Sequence, residues 1–149
     1  MKRFLNLLLS YVELALGARA ESGSQNMVPG FSTTTDYSGL SATRYIFVQA
    51  NGARTAMQCI NPTSTALLGV MQNNPTVGEA MTIAFQGPSK VVAGGALTAN
   101  ALITSNASGR AAAVTSGDMV AGRVLEASGA DGDVISVLLF HPVRWSGAA

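Results

Sequence analysis

The sequence predicts an all-β protein, a small β-barrel or sandwich of hairpins with an N-terminal amphipathic α-helix and an extended arm. Turn residues recur roughly every eight to twelve positions beyond Arg44, as they do in β-sandwiches and barrels. The stretch from Leu68 to Leu139 contains nearly the same pattern twice, which indicates duplicated hairpins. Four parts are therefore predicted: a helix over 1–20, an arm over 21–43, a β domain over 44–141 and a tail over 142–149.

The composition limits the classes of function. The chain has 149 residues, enough for one domain with its own core. Charged residues make up 11% of the chain and the net charge is +1, well below the charged fraction of ordinary soluble domains. A surface with so little charge indicates that much of it is covered in an assembly. The chain has neither a basic patch nor an acidic tail, which argues against nucleic acid as a partner.

The N-terminal segment combines a basic start with an apolar run, as a signal peptide does. Glu13 lies inside the apolar run and argues against a signal peptide. The polar residues instead fall on one narrow stripe of an α-helix. They are Asn6, Ser10, Glu13 and Gly17, the last of which is suited to end the helix. The broad opposite face consists of Phe4, Leu5, Leu8, Leu9, Val12 and Leu16.

Three alternatives remain open for what covers this apolar face: its own domain, a groove or bundle of partner subunits, or a membrane surface. The membrane is the least favoured, because the polar stripe lacks the Lys and Arg residues that membrane-surface helices carry. The apolar run is also too short and too interrupted to span a bilayer.

The arm over 21–43 is rich in Gly, Ser and Thr and carries few residues that build a core. We expect it to be extended and to pack on other surfaces. Met27, Val28 and Phe31 form its predicted anchor, and Trp145 is the one large anchor of the C-terminal tail.

The predicted strands beyond Arg44 alternate with turn signals. Tyr45–Ala50 and Arg54–Ile60 form a hairpin around the two-residue turn Asn51–Gly52. Gly87-Pro88-Ser89 is predicted to separate two strands. Further short strands are predicted at Lys90–Ala93, Ala96–Thr104 and Arg110–Thr115.

The repeat places Val70-Met71 over Val124-Leu125 without a gap. Gly78-Glu79 then falls on Gly132-Asp133, and an apolar strand follows in each copy. Each copy predicts two strands joined by a turn, in which glycine supplies the unusual φ and the acid stays solvated. We interpret the copies as paired hairpins of a single barrel or sandwich, because a solenoid usually needs three or more units.

The sequence contains no motif for phosphate binding, metal binding or nucleophilic catalysis, so we expect no enzyme, no metal and no cofactor. Cys59 is the only cysteine and is predicted to be a small buried hydrophobe, far in sequence from the only histidine, His141. The acids of the β region are predicted to cap turns: Glu79, Asp118, Glu126, Asp131 and Asp133. Asn106-Ala107-Ser108 matches a glycosylation sequon, which carries no weight without secretion.

Three segments carry a family resemblance: Leu68–Ala80, Ser89–Gly95 and Ala130–Leu139. Together their order and spacing resemble phage capsid decoration proteins, also called cement proteins, over residues 44–140. The resemblance implies a compact β domain on the outside of an icosahedral head, commonly trimeric, that clamps neighbouring major capsid subunits. The predicted N-terminal helix is not part of that β core.

The resemblance and the composition both indicate a protein that functions by contact. The implied partners are the major capsid protein and further copies of the chain in a homotrimer, and the implied location is the outer surface of the virion. The predicted partner-binding residues are Phe4, Leu5, Leu8, Leu9, Val12, Leu16, Met27, Val28, Phe31 and Trp145. Two other classes stay open, an exported β protein with a true signal peptide and a carbohydrate-binding head fibre or adhesin.

Overall fold

A computed structural model describes residues 26–39, 44–52 and 54–147, and all regular structure in these ranges is β-strand. The predicted helix over 1–20 lies outside the described residues. The strands are β1 (Asn26–Thr33), β2 (Phe47–Ala50), β3 (Thr55–Gln58), β4 (Leu67–Met71), β5 (Ala80–Gly94), β6 (Leu102–Ser105), β7 (Ala111–Ala113), β8 (Met119–Val124) and β9 (Asp131–Arg144).

The first five strands form a closed barrel in the order β1–β3–β2–β4–β5, with β1 returning to pair with β5. We call it the first barrel. The β1–β3 pair is parallel and the other pairs are antiparallel. Its interior is filled by Tyr37, Ile46, Val48, Ala56, Met71, Met81 and Ile83.

The remaining strands form a second ring in the order β5–β7–β6–β8–β9, and β9 closes it by pairing with β5. Here too one pair, β5–β7, is parallel and the others are antiparallel. The second ring therefore repeats the strand order of the first barrel. Strand β5 is the last strand of one unit and the first strand of the next.

Strand β5 continues through the predicted break at Gly87-Pro88. Gly87 has a φ of +92°, a conformation that glycine adopts without steric cost. At this point β5 exchanges one antiparallel partner for another, since Gln86 pairs with Asn26 of β1 and Gly87 pairs with Leu139 of β9. The predicted turn is therefore wrong: glycine redirects the strand between two partners without ending it.

The two units share one hydrophobic core. Phe47, Val70 and Ala84 point out of the first barrel and are fully buried together with side chains of the second ring. Hydrogen bonds also cross between the units. The Phe47 N–H donates to the Gly109 carbonyl at 2.7 Å, and the Ser105 hydroxyl donates to the Cys59 carbonyl at 2.6 Å. The shared core and these bonds join the two units firmly.

The structure moves both predicted boundaries of the β domain. The predicted arm is extended, but residues 26–33 form strand β1 inside the first barrel, so the described β domain begins at Asn26 and not at Arg44. Tyr37 follows as a buried side chain, whose hydroxyl accepts a hydrogen bond from the Gln58 N–H at 2.9 Å. At the other end, β9 continues to Arg144, beyond the predicted boundary at residue 141.

The repeat is real in the fold, but its copies belong to different units and need a one-residue gap. Val70 of β4 pairs with Ala84, whereas Arg123 of β8 pairs with Leu138. Val70 therefore corresponds to Arg123, and the ungapped match to Val124 is wrong. A slip of one residue in a strand moves each side chain to the other face of the sheet, so the gap decides which residues point outward.

Candidate interaction surface

Three of the five acids that are predicted to cap turns do so. Glu126 instead accepts a hydrogen bond from the Ser136 hydroxyl at 3.1 Å, and Asp131 forms an ion pair with Arg110 at 2.7 Å. The Glu79 carboxylate accepts a hydrogen bond from the Thr76 N–H at 2.8 Å, and the Asp133 carboxylate accepts bonds from the Gly129 and Ala130 N–H groups at 2.9 Å. These contacts agree with the predicted turn caps. Asp118 caps the Thr115 N–H in the same way, but it is buried and not solvated. Within the described residues no three His, Cys, Asp or Glu side chains are grouped to hold a metal.

The two residues considered for nucleophilic chemistry do not form a reactive group. Cys59 is fully buried, its thiol donates to the Asn61 carbonyl at 3.4 Å, and burial raises the pKa of this thiol. His141 is exposed on β9, where its Nδ1 lies 3.1 Å from the Pro142 carbonyl. The Asn106 side chain accepts bonds from the N–H groups of Ser108 and Arg110, so it shapes its own turn.

The exposed apolar side chains concentrate on the second ring. Among the described residues, five of the seven large exposed hydrophobics follow the start of β8 in sequence, and the other two are Ile60 and Val77. The five are Leu125, Val134, Leu138, Val143 and Trp145. Exposed hydrophobic side chains that lie next to each other indicate an interaction surface, and these five form two groups.

We call the outward surface of β6, β8 and β9 the β9 face. It contains Leu125, Val134 and Leu138, which are 50%, 49% and 40% exposed. Leu138 lies in the middle, because it is paired with Pro88 of β5 on one side and with Arg123 of β8 on the other. The apolar side chains of this face therefore come from neighbouring strands of one sheet.

A polar group lies within the β9 face, because Ser136 stands between Val134 and Leu138 on the outward side of β9. The Lys90 ammonium donates to the Ser136 hydroxyl at 2.9 Å, and that hydroxyl donates to the Glu126 carboxylate at 3.1 Å. Lys90 and Glu126 lie 3.9 Å apart as an exposed ion pair. Arg123 differs from them, since its exposed guanidinium has no hydrogen bond or ion pair within the described part of the chain.

A smaller apolar group lies at the C-terminal end of β9. Val143 is 52% exposed and Trp145 is 37% exposed. The backbone of Trp145 is fixed, because its N–H donates to the Asp118 carbonyl at 2.7 Å and its carbonyl accepts from the Gly117 N–H at 2.8 Å. The structure therefore presents the Trp145 ring from an ordered backbone.

Unlike Trp145, the other predicted contact residues are not seen as exposed side chains of the second ring. The apolar residues between Phe4 and Leu16 lie outside the described residues. The backbone of Met27 and Val28 pairs with β5, and Phe31 is half-buried against the interior of the first barrel. Sequence reasoning missed Leu125, Val134 and Leu138, because the apolar run from Val134 to Leu139 does not alternate and so hides which side chains face outward.

Comparison with known proteins gives one family and one fold. The sequence profile of the phage cement proteins matches residues 30–139. The crystal structure of the N base of the head fibre of bacteriophage phi29 superposes with a TM-score of 0.59 at 13% identity, covering 80% of this chain and 99% of that one. At that identity the likeness concerns the fold alone. No curated protein sequence matches the chain. Within the described residues, no helix has the length and apolar character needed to cross a membrane.

Proposed function

The chain belongs to the phage cement protein family, and from this premise we propose that it binds the outer surface of a phage head and holds neighbouring major capsid subunits together. It is a structural protein that decorates and stabilises the head. The outer location, the major capsid protein as partner and the homotrimer are the parts that we propose.

The observation that carries this proposal is the group of exposed apolar side chains on the second ring. Removing apolar surface from water contributes about 25 cal/mol per Å², so a standard interface of about 1,600 Å² gives tens of kcal/mol before association costs. Those costs remove most of this gain. A cement is nevertheless effective, because many symmetric copies each add a modest net contribution to the same shell.

The proposal extends to the segments at the two ends of the chain. Trp145 is exposed beside Val143 and offers an aromatic side chain of the kind enriched in interfaces. The helix predicted over residues 1–20 would have a broad apolar face, which we propose contacts capsid or sister subunits. A chain lacking residues 1–25 should then bind capsids less tightly than the full chain, and equal binding would remove this segment from the proposal.

The test of the function is co-sedimentation of the purified chain with capsids that lack it, followed by heating with and without the bound chain. We expect saturable binding in a simple ratio to the major capsid protein and a higher temperature of capsid disruption. Substitution of Val77, an exposed residue of the first barrel, by Ser provides a matched control that should bind as the original chain does. A chain that does not sediment with capsids would overturn the proposal.

A further inference from the structure

The first barrel has an outward row of three side chains that lie next to each other across its sheet. Phe47 of β2 pairs with Val70 of β4, and Val70 pairs with Ala84 of β5. All three side chains are completely buried, because the second ring covers this part of the first barrel. In the first barrel this row is therefore an internal docking surface.

The second ring has the same row at the equivalent positions. Leu102 of β6 pairs with Arg123 of β8, and Arg123 pairs with Leu138 of β9. The glycine before the central residue of each row supports this equivalence, since Gly69 precedes Val70 and Gly122 precedes Arg123. A side chain at Gly69 would clash with the Ala84 carbonyl, and a side chain at Gly122 would lie 2.6 Å from the Leu138 carbonyl.

The two rows differ in what covers them. Leu102 is half-buried, Arg123 is exposed and Leu138 is 40% exposed, whereas the equivalent side chains of the first barrel have no exposure. They also differ in chemistry, since a guanidinium stands where the first barrel has the valine side chain. A partner that covered this row would bury Arg123, and a buried charge is costly unless it is paired and hydrogen-bonded.

We propose that the Leu102–Arg123–Leu138 row is the docking surface for a capsid subunit that presents apolar side chains around one carboxylate. The apolar side chains pack on Leu125, Val134 and Leu138, and the carboxylate pairs with Arg123. Guanidinium and carboxylate groups form two parallel charge-assisted hydrogen bonds, which fix orientation as well as affinity. This inference rests on the proposed function, because it names the chemistry of the capsid surface.

The carboxylate is assigned to a capsid subunit and not to the described part of a second copy of this chain. Every acidic side chain in the described residues already accepts a hydrogen bond within its own chain. These acids are Asp36, Glu79, Asp118, Glu126, Asp131 and Asp133. In a second copy such a carboxylate would be shared between its own chain and the guanidinium, whereas a capsid subunit brings a carboxylate of its own.

The experiment compares capsid binding of Arg123→Glu and Leu138→Ser with that of two controls. Arg54→Glu reverses another exposed arginine without a described partner, and Val77→Ser removes another exposed apolar side chain. We expect Arg123→Glu to weaken binding by about tenfold or more, because it places two carboxylates against each other. Leu138→Ser should weaken binding by several-fold, and both controls should bind as the original chain does. Arg123→Met, which removes the charge but keeps an unbranched apolar stem, should bind with less dependence on salt.

The outcomes separate the inference from the function. If the original chain does not bind capsids, the proposed function and the proposed docking surface are both wrong. If the original chain binds and the two variants of the row bind as the controls do, the function stands and the docking surface is wrong. Sedimentation of the original chain and the variants without capsids measures their oligomeric state and tests the remaining alternative. An oligomer of the original chain that Arg123→Glu dissociates would assign the row to contacts between copies and overturn the capsid assignment.

Discussion

At the scale of single residues, two glycines show how closely the two units resemble each other. Gly69 in β4 and Gly122 in β8 each face the backbone of the neighbouring strand, at the carbonyls of Ala84 and Leu138. Neither glycine has a positive φ, so the need for glycine here is one of space and not of conformation. The strands approach so closely that a single additional carbon would push them apart.

Replacement of either glycine by Ala should therefore destabilise the protein. We expect a loss of about 1–3 kcal/mol in the free energy of unfolding for Gly122→Ala, because the new methyl group meets backbone that cannot rotate away. Gly69→Ala should lower the free energy of unfolding by at least as much, because its new methyl group meets the Ala84 carbonyl even more closely. Gly39→Ala is the matched control, since a side chain there meets nothing within 4 Å. Urea denaturation measures the differences, and a Gly122→Ala variant as stable as Gly39→Ala would contradict the close approach.

Cys59 gives a prediction about reactivity and pH. Its thiol is buried, and burial raises the pKa of this group because it disfavours the charged thiolate. Alkylation by iodoacetamide should therefore be slow in the folded chain and rapid in urea. The folded chain also holds this proton more tightly than the unfolded chain does. The contribution of the thiol to stability is thus complete below the pKa of the unfolded thiol and declines as the pH rises through the folded pKa. Rapid alkylation without urea would show that the thiol is accessible.

At the scale of the elements, the sequence was sufficient for the strands that are bounded by turns on both sides. The hairpin at β2–β3 could be predicted, but its turn is longer than the two residues Asn51–Gly52, since the Asn51 N–H donates to the Thr55 carbonyl. The turns capped by Glu79 and Asp133 could also be predicted, and so could the repeat between Leu68 and Leu139 apart from its one-residue gap. Strand β1 could not, because Pro29-Gly30 in the middle of residues 26–33 is typical of a turn and the segment becomes a strand only through pairing with β5 and β3. The β9 face could not be predicted either, because the apolar run from Val134 to Leu139 does not alternate, and the place of Arg123 beside Leu138 depends on a one-residue gap that only the strand register reveals.

Strand β1 leads to a prediction about truncation. A chain lacking residues 1–25 should fold to the same β structure, because every described strand is still present. A chain lacking residues 1–33 should not fold to the same structure, because the first barrel then loses the strand that closes it and exposes the edges of β3 and β5. Circular dichroism during heating compares the two. Equal melting of both truncated chains would mean that β1 does not close the barrel.

At the scale of the whole molecule, the shared strand β5 and the shared core make two similar units behave as one. Phe47, Val70 and Ala84 of the first barrel complete the larger hydrophobic cluster, so the second ring does not keep its interior without the first barrel. This arrangement suits a cement, because force on the docking surface of the second ring passes into the first barrel through packed side chains and the continuous β5.

The same arrangement predicts that the two units unfold together. Met81→Ala opens a cavity inside the first barrel and should cost about 2–5 kcal/mol. Trp145 is the only tryptophan and lies at the end of the second ring, so its fluorescence reports that unit alone, whereas circular dichroism reports all strands. We expect Met81→Ala to lower the denaturation midpoint of both signals equally, because probes of a cooperative transition coincide. Val77→Ala, on an exposed loop of the first barrel, should leave both midpoints unchanged. A Trp145 transition that stayed at its original midpoint in Met81→Ala would mean that the second ring folds independently, and the shared core would then not couple the two units.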